Sequence, residues 1–187
     1  MSIAIYILVG GALLVAAVIL LRKLVRAYWR FRGKMLVTCP ETEQPVGVEV
    51  DAGYAALTTV MGEQVLQLKS CTRWPARKDC GQECLRQIEL GPENCLVRTI
   101  IAEWYKGKTC GLCGREFGEI HWHDHKPAVM RLPDKKTVEW ADVPVETLPA
   151  VLTTHQPVCW NCYIAETFRE QHPELVVERP WKRGHLT

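Results

Sequence analysis

The chain has 187 residues, 48% of them hydrophobic and 24% charged, with nine Cys and a formal net charge of +2. That balance suits a compact domain with appendages and excludes disordered and collagen-like classes. Six of the 23 basic residues, Arg22, Lys23, Arg26, Arg30, Arg32 and Lys34, lie in one stretch without an acid, leaving 17 basic against 21 acidic residues from Met35 onward, a net of −4. A body of that sign argues against a nucleic-acid partner, because such binding is driven by neutralising phosphates with Lys and Arg.

Residues 2–21 carry no charge and are almost all Ile, Leu, Val, Ala or Gly. As a helix, 20 such residues cross the roughly 30 Å hydrocarbon core of a bilayer. A cleavable signal peptide needs a positive start and a shorter apolar run, whereas here the bases follow the run. The positive-inside rule therefore predicts a single-pass inner-membrane protein with its N-terminus outside and residues 35–187 in the cytoplasm. Tyr28, Trp29 and Phe31 among the bases read as an interfacial belt. Gly10 and Gly11 offer a smooth helix face to a partner helix.

In the body, 35–38 and 46–50 read as short β-branched strands joined by a proline-punctuated link, and 54–60 is ambiguous between strand and helix. Val65, Leu66 and Leu68 predict a third strand ending at Cys71. Helical spacing predicts a helix over 80–90, closed by Gly91-Pro92, and a second over 92–106 that ends at Gly107. Residues 117–123 read as a strand, and 128–132 with 137–141 as a hairpin about Pro133-Asp134-Lys135-Lys136. A short helix follows over 145–152 and another over 159–171, with Ile164, Ala165 and Phe168 as its apolar stripe. The remaining tail reads as extended.

A cytoplasmic body keeps its thiols reduced, so metal binding is the expected use of its cysteines. Cys110-Gly111-Leu112-Cys113-Gly114 and Cys159-Trp160-Asn161-Cys162 are two CxxC pairs, each of which sets two thiolates on one turn at the spacing a tetrahedral zinc needs. Knuckle, hairpin, then a second CxxC opening a helix is an order that resembles the treble-clef zinc fingers over roughly 109–171; the resemblance implies a closed structural zinc site. Cys39, Cys71, Cys80 and Cys84 form a second countable set, and Cys71, Cys80, Cys84 and Cys95 another. Cys80 and Cys84 face one way if helical. Zinc, an iron–sulfur cluster and plain burial all fit this group.

His121-Trp122-His123-Asp124-His125 alternates, so an extended chain projects three imidazoles from one face, as a metal site would need. Asp124-His125-Lys126-Pro127, between two CxxC pairs, is similar to the core of the HNH endonucleases. That likeness implies His125 as the water-activating group and Asn161 or His172 as a metal-holding one. No nucleotide-binding loop or serine-hydrolase elbow is present. The chain also resembles short, membrane-anchored, Cys-rich bacterial proteins, a likeness that implies a class and no activity.

The expected fold is α+β: a transmembrane helix and basic segment over 1–34, a small sheet with a Cys-rich helical region over 35–108, a treble-clef-like region over 109–172 and a tail over 173–187. Short antiparallel strands and three to four helices build the body. The expected role is a membrane-anchored, zinc-binding interaction or accessory module without catalysis, held at the bilayer beside a protein partner. The rivals are an iron–sulfur or dithiol sensor using Cys80, Cys84 and Cys95, and an HNH-like hydrolase centred on His121, His123 and His125.

Overall fold

A computed structural model describes residues 3–77, 79–120, 122–123 and 126–175. The chain divides into two compact units: one runs as far as Trp104 and takes back Pro144–Ala150, the other holds Tyr105–Val143 and the chain from Val151.

The uncharged N-terminal run and the bases after it form one helix, α1 (Ile3–Phe31), of 29 residues. At about 1.5 Å per residue it is about 43 Å long, and it is long and apolar enough to cross a membrane. Its apolar side chains are exposed from Ile5 to Leu21, Leu8 at 73%. Its last turns behave differently. Ala27 is buried, and Phe31 is 1% exposed within the core of the first unit, so Phe31 belongs to the body and not to an interfacial belt. Trp29 and Tyr28 stay on the surface with the Arg32 guanidinium 4.9 and 5.6 Å from their ring centroids, and Arg98 donates to the Trp29 carbonyl at 3.1 Å.

After Gly33, strands β1 (Lys34–Thr38), β2 (Pro45–Val50) and β3 (Leu68–Cys71) form an antiparallel sheet in that order, with Leu36 opposite Gly47. Met35 and Val37 point inward at the period of a strand. The ambiguous segment between β2 and β3 is helical. In α2 (Ala52–Met61), Asp51 caps the start by accepting the Tyr54 amide at 2.9 Å, and Gly62 ends it at φ +112°. Ala52, Ala55 and Ala56 are buried, and α2 packs along α1.

The two helices expected over 80–90 and 92–106 are shorter and broken. Only α3 (Leu85–Leu90) forms from the first. Gln82 adopts φ +56° ahead of it, and its side chain accepts the Leu68 amide at 3.0 Å, so Cys80 lies in an irregular loop rather than one helical turn before Cys84. The second splits into α4 (Pro92–Cys95) and α5 (Val97–Tyr105), because Leu96 turns extended, bridges to Met35 and buries its side chain. Core burial outweighs helix continuity at that residue. A 3₁₀ turn (Val145–Thr147) and the start of α6 (Leu148–Thr154) complete the first unit.

In the second unit the expected hairpin forms as β4 (Ala128–Arg131) and β5 (Thr137–Glu139), and β6 (His155–Val158), which sequence patterning missed, pairs with the other side of β4. Residues 117–120 form no strand; among the described residues the nearby ladder contact is the Thr109–Glu116 bridge. Tyr105, 1% exposed, donates to the Ala128 carbonyl at 2.6 Å, accepts from Trp140 Nε1 at 3.0 Å and meets the Phe117 ring edge-on at 4.6 Å. Burial pushes its phenol pKa up, against the Trp140 donor. Helix α7 (Trp160–Gln171) follows β6 directly. Among the described residues the body holds six α-helices, more than the three to four expected, because one helix is split and the ambiguous segment is helical.

Candidate metal centre

Cys110 to Glu116 is a tight knuckle. The Cys110 amide donates to the Arg115 carbonyl and the Gly114 amide to the Cys110 carbonyl, both at 2.8 Å, and Gly114 sits at φ +73°, a conformation that favours glycine. The knuckle is held to β6 by the Gly111 amide on the Pro157 carbonyl at 2.8 Å. Cys159 follows β6 and is the N-cap of α7, and Cys162 lies in that helix's first turn. Thus one CxxC comes from a knuckle and the other from a strand-to-helix junction, and β6 carries the second to the first.

The result is a convergence of four thiols. The Sγ atoms of Cys110, Cys113, Cys159 and Cys162 lie within 4.8 Å of one another, with Cys113 and Cys159 at 3.8 Å. A tetrahedral ion bound at the usual 2.3 Å from each sulfur needs sulfurs about 3.8 Å apart. Cys110 is buried while Cys113 is exposed, so the group straddles the surface. The Cys159 amide donates to Cys110 Sγ at 3.3 Å. Burial opposes ionisation of Cys110, but amides of Cys159, Cys113 and Leu112 and the Cys113 side chain outweigh it and bring the thiol down to about 7. Burial pushes Cys159 and Cys162 up, and for Cys162 the neighbouring thiols add to it. Cys110 is thus the sulfur of these that gives up its proton most readily, and a bound cation favours loss of the protons from its neighbours. Met130 and Val158 pack beneath, with Phe117 and Tyr163 beside them.

The other predicted residues fare differently. Cys39, Cys71, Cys80 and Cys84 line one cavity of ≈ 80 Å³ in the first unit, but their sulfurs do not close to within 4.8 Å of each other as the first quartet does. Cys95 is not on that cavity; its thiol contacts the Gln87 carbonyl at 3.7 Å. Burial and then the charges of Cys71, Cys80 and Cys39 push Cys84 up to about 11. Of the histidine strand, His121 and His125 lie outside the described residues, as does Asp124, and His123 lies in a turn. Asn161 opens α7 and lines a cleft of ≈ 310 Å³ with Phe117, Gly118 and Pro127. His172 caps the far end of that helix, 3.4 Å from Glu174. The two alternatives for the metal-holding role in the HNH likeness therefore lie at opposite ends of α7, and His125, its water-activating residue, lies outside the described residues. Sequence reasoning missed Arg73, whose position between Cys71 and Cys80 was the available signal; it donates to Cys39 Sγ at 2.8 Å.

No protein-family model, curated protein or solved structure matches this chain. Its own geometry thus carries the functional argument.

Proposed function

We propose that this is a single-pass membrane protein whose Cys110, Cys113, Cys159 and Cys162 hold a zinc ion in a treble-clef-like finger, and whose cytoplasmic body serves as a non-catalytic interaction or accessory module. The observation that carries the reading is the meeting of four thiols from two distant CxxC pairs within 4.8 Å. Zinc suits an all-thiolate tetrahedral site that leaves no open position for substrate, and such a site supplies order to a unit with few buried side chains.

The interaction role is supported by α7. No residue of that helix is buried, and Ile164 and Phe168, one turn apart, are 45% and 49% exposed instead of forming a core stripe. An apolar pair on an exposed helix beside a rigid metal centre suits an apolar partner surface. The cluster of bases from Arg22 to Lys34, in the last turns of α1 and just beyond it, supports a cytoplasmic body.

The test is elemental analysis of the full-length protein purified in detergent under reducing conditions. Zinc that falls by one ion per chain in Cys110→Ser/Cys162→Ser is the expected result. Identical metal content in wild type and variant overturns the assignment.

A further inference from the structure

The first unit carries five cysteines that the proposed finger does not use, and four of them come together from three separate stretches. Cys39 follows β1, Cys71 ends β3, and Cys80 and Cys84 lie in the loop and N-cap before α3. All four line the same ≈ 80 Å³ cavity, whereas Cys95, equally close in sequence and also buried in that core, does not. Burial of apolar thiols for packing alone gives no reason for this sorting.

Two further features of the cavity point to an anionic occupant of its walls. Arg73 lines it, donating to Cys39 Sγ at 2.8 Å and approaching Glu41 at 3.4 Å. Trp74 lines it too, and its Nε1–H is buried with no acceptor among the described residues. A buried donor without a partner carries a cost of about 1–3 kcal/mol and calls for an explanation. A thiolate is an acceptor for both donors, and four thiolates around a divalent cation keep a net negative charge that a guanidinium offsets.

We infer that Cys39, Cys71, Cys80 and Cys84 form a second metal site, separate from the CxxC quartet, for a thiophilic divalent cation of the zinc type. Arg73 and Trp74 serve it as outer donors to the sulfurs. Binding draws the sulfurs to about 3.8 Å spacing, and Cys80, set in a loop outside helix, strand and cap, has an irregular backbone to rearrange. The metal replaces four thiol protons, which leave to solvent, with no change in oxidation state.

The experiment uses the full-length chain in detergent, stripped with a chelator under reducing conditions and then given zinc or nothing. Alkylation by a maleimide is followed at each cysteine by mass spectrometry. Expected is slowing on the order of tenfold or more at the part-exposed Cys71 and Cys80 when zinc is present, because a coordinated thiolate is withdrawn as a nucleophile, with Cys95 unaffected. The Cys110→Ser/Cys162→Ser variant should retain this protection and one bound ion. Equal labelling of Cys71 and Cys80 with and without zinc overturns the inference, as does iron with charge-transfer absorption in that variant. Protection of Cys113 and Cys162 in wild type is read in the same spectra and reports on the CxxC quartet alone, so the two assignments fail separately.

Discussion

Gly47 shows how one missing side chain sets a packing distance. It sits in β2, and a Cβ placed there would lie 2.8 Å from Val145 Cβ and 3.2 Å from Thr72 Cγ2. Gly47→Ala is therefore expected to destabilise the first unit by about 1–3 kcal/mol, the range for overpacking a tight core, read as a lower urea midpoint. Asp134 is a residue-scale case of electrostatics. The Arg131 guanidinium, bonded through Nε at 3.0 Å, together with the Lys136 amide, holds its carboxyl down at about 2 against an ordinary 3.8. A depressed carboxylate stabilises the hairpin fully above its ordinary value, and that contribution is lost as pH falls through about 2. Because the pair is half exposed the gain is small. An NMR titration of Asp134 should show its midpoint near 2 in the wild type and move back toward 3.8 in Arg131→Ala.

Among the elements, α1 changes character along its length. Its apolar side chains from Ile5 to Leu21 are exposed, while Phe31 at its end is sealed into the core with Met35 and Leu96. Phe31→Ala is expected to cost about 3–5 kcal/mol, and Trp29→Ala, whose side chain is half exposed, about 0.5 kcal/mol or less. Thermal unfolding of the two variants in the same detergent checks the contrast. A fragment cut at Met35 would lose Phe31 and the α1 surface on which α2 packs, so it should melt well below the full-length chain. The knuckle, by contrast, is a local element: its turn closes on its own amides, and Gly114 at φ +73° makes it possible.

On the scale of the whole molecule, each of the two units has its own core. The core around the CxxC quartet is the smaller, and a structural zinc contributes on the order of 10 kcal/mol to such a fold. Hydrogen exchange in Cys110→Ser/Cys162→Ser should therefore quicken at the knuckle, β6 and the start of α7 and stay slow in β1 and β2. Orientation is tested separately. Protease added to inside-out membrane vesicles should digest the body, and protease added to right-side-out vesicles should leave it intact; the opposite pattern would reverse the topology and with it the reduced state assumed for the thiols.

Local chemistry, read from the sequence, determined the apolar helix, the basic segment after it, the hairpin about Pro133-Asp134-Lys135-Lys136, the last helix and the two CxxC pairs, because each is written in neighbouring residues. Periodicity also misled where distant contacts won. Leu96 left its helix to reach Met35, Gln82 left-turned the loop at Cys80, and Ile164 and Phe168 faced outward. Strand β6 carries a proline and little alternation, so nothing local announced it, yet it is the strand that brings Cys159 to Cys110. The choice of Cys39 over Cys95 as the fourth wall of the second thiol cavity was likewise made only by the tertiary structure, since sequence spacing counts cysteines but cannot say which of them a folded sheet turns toward one point.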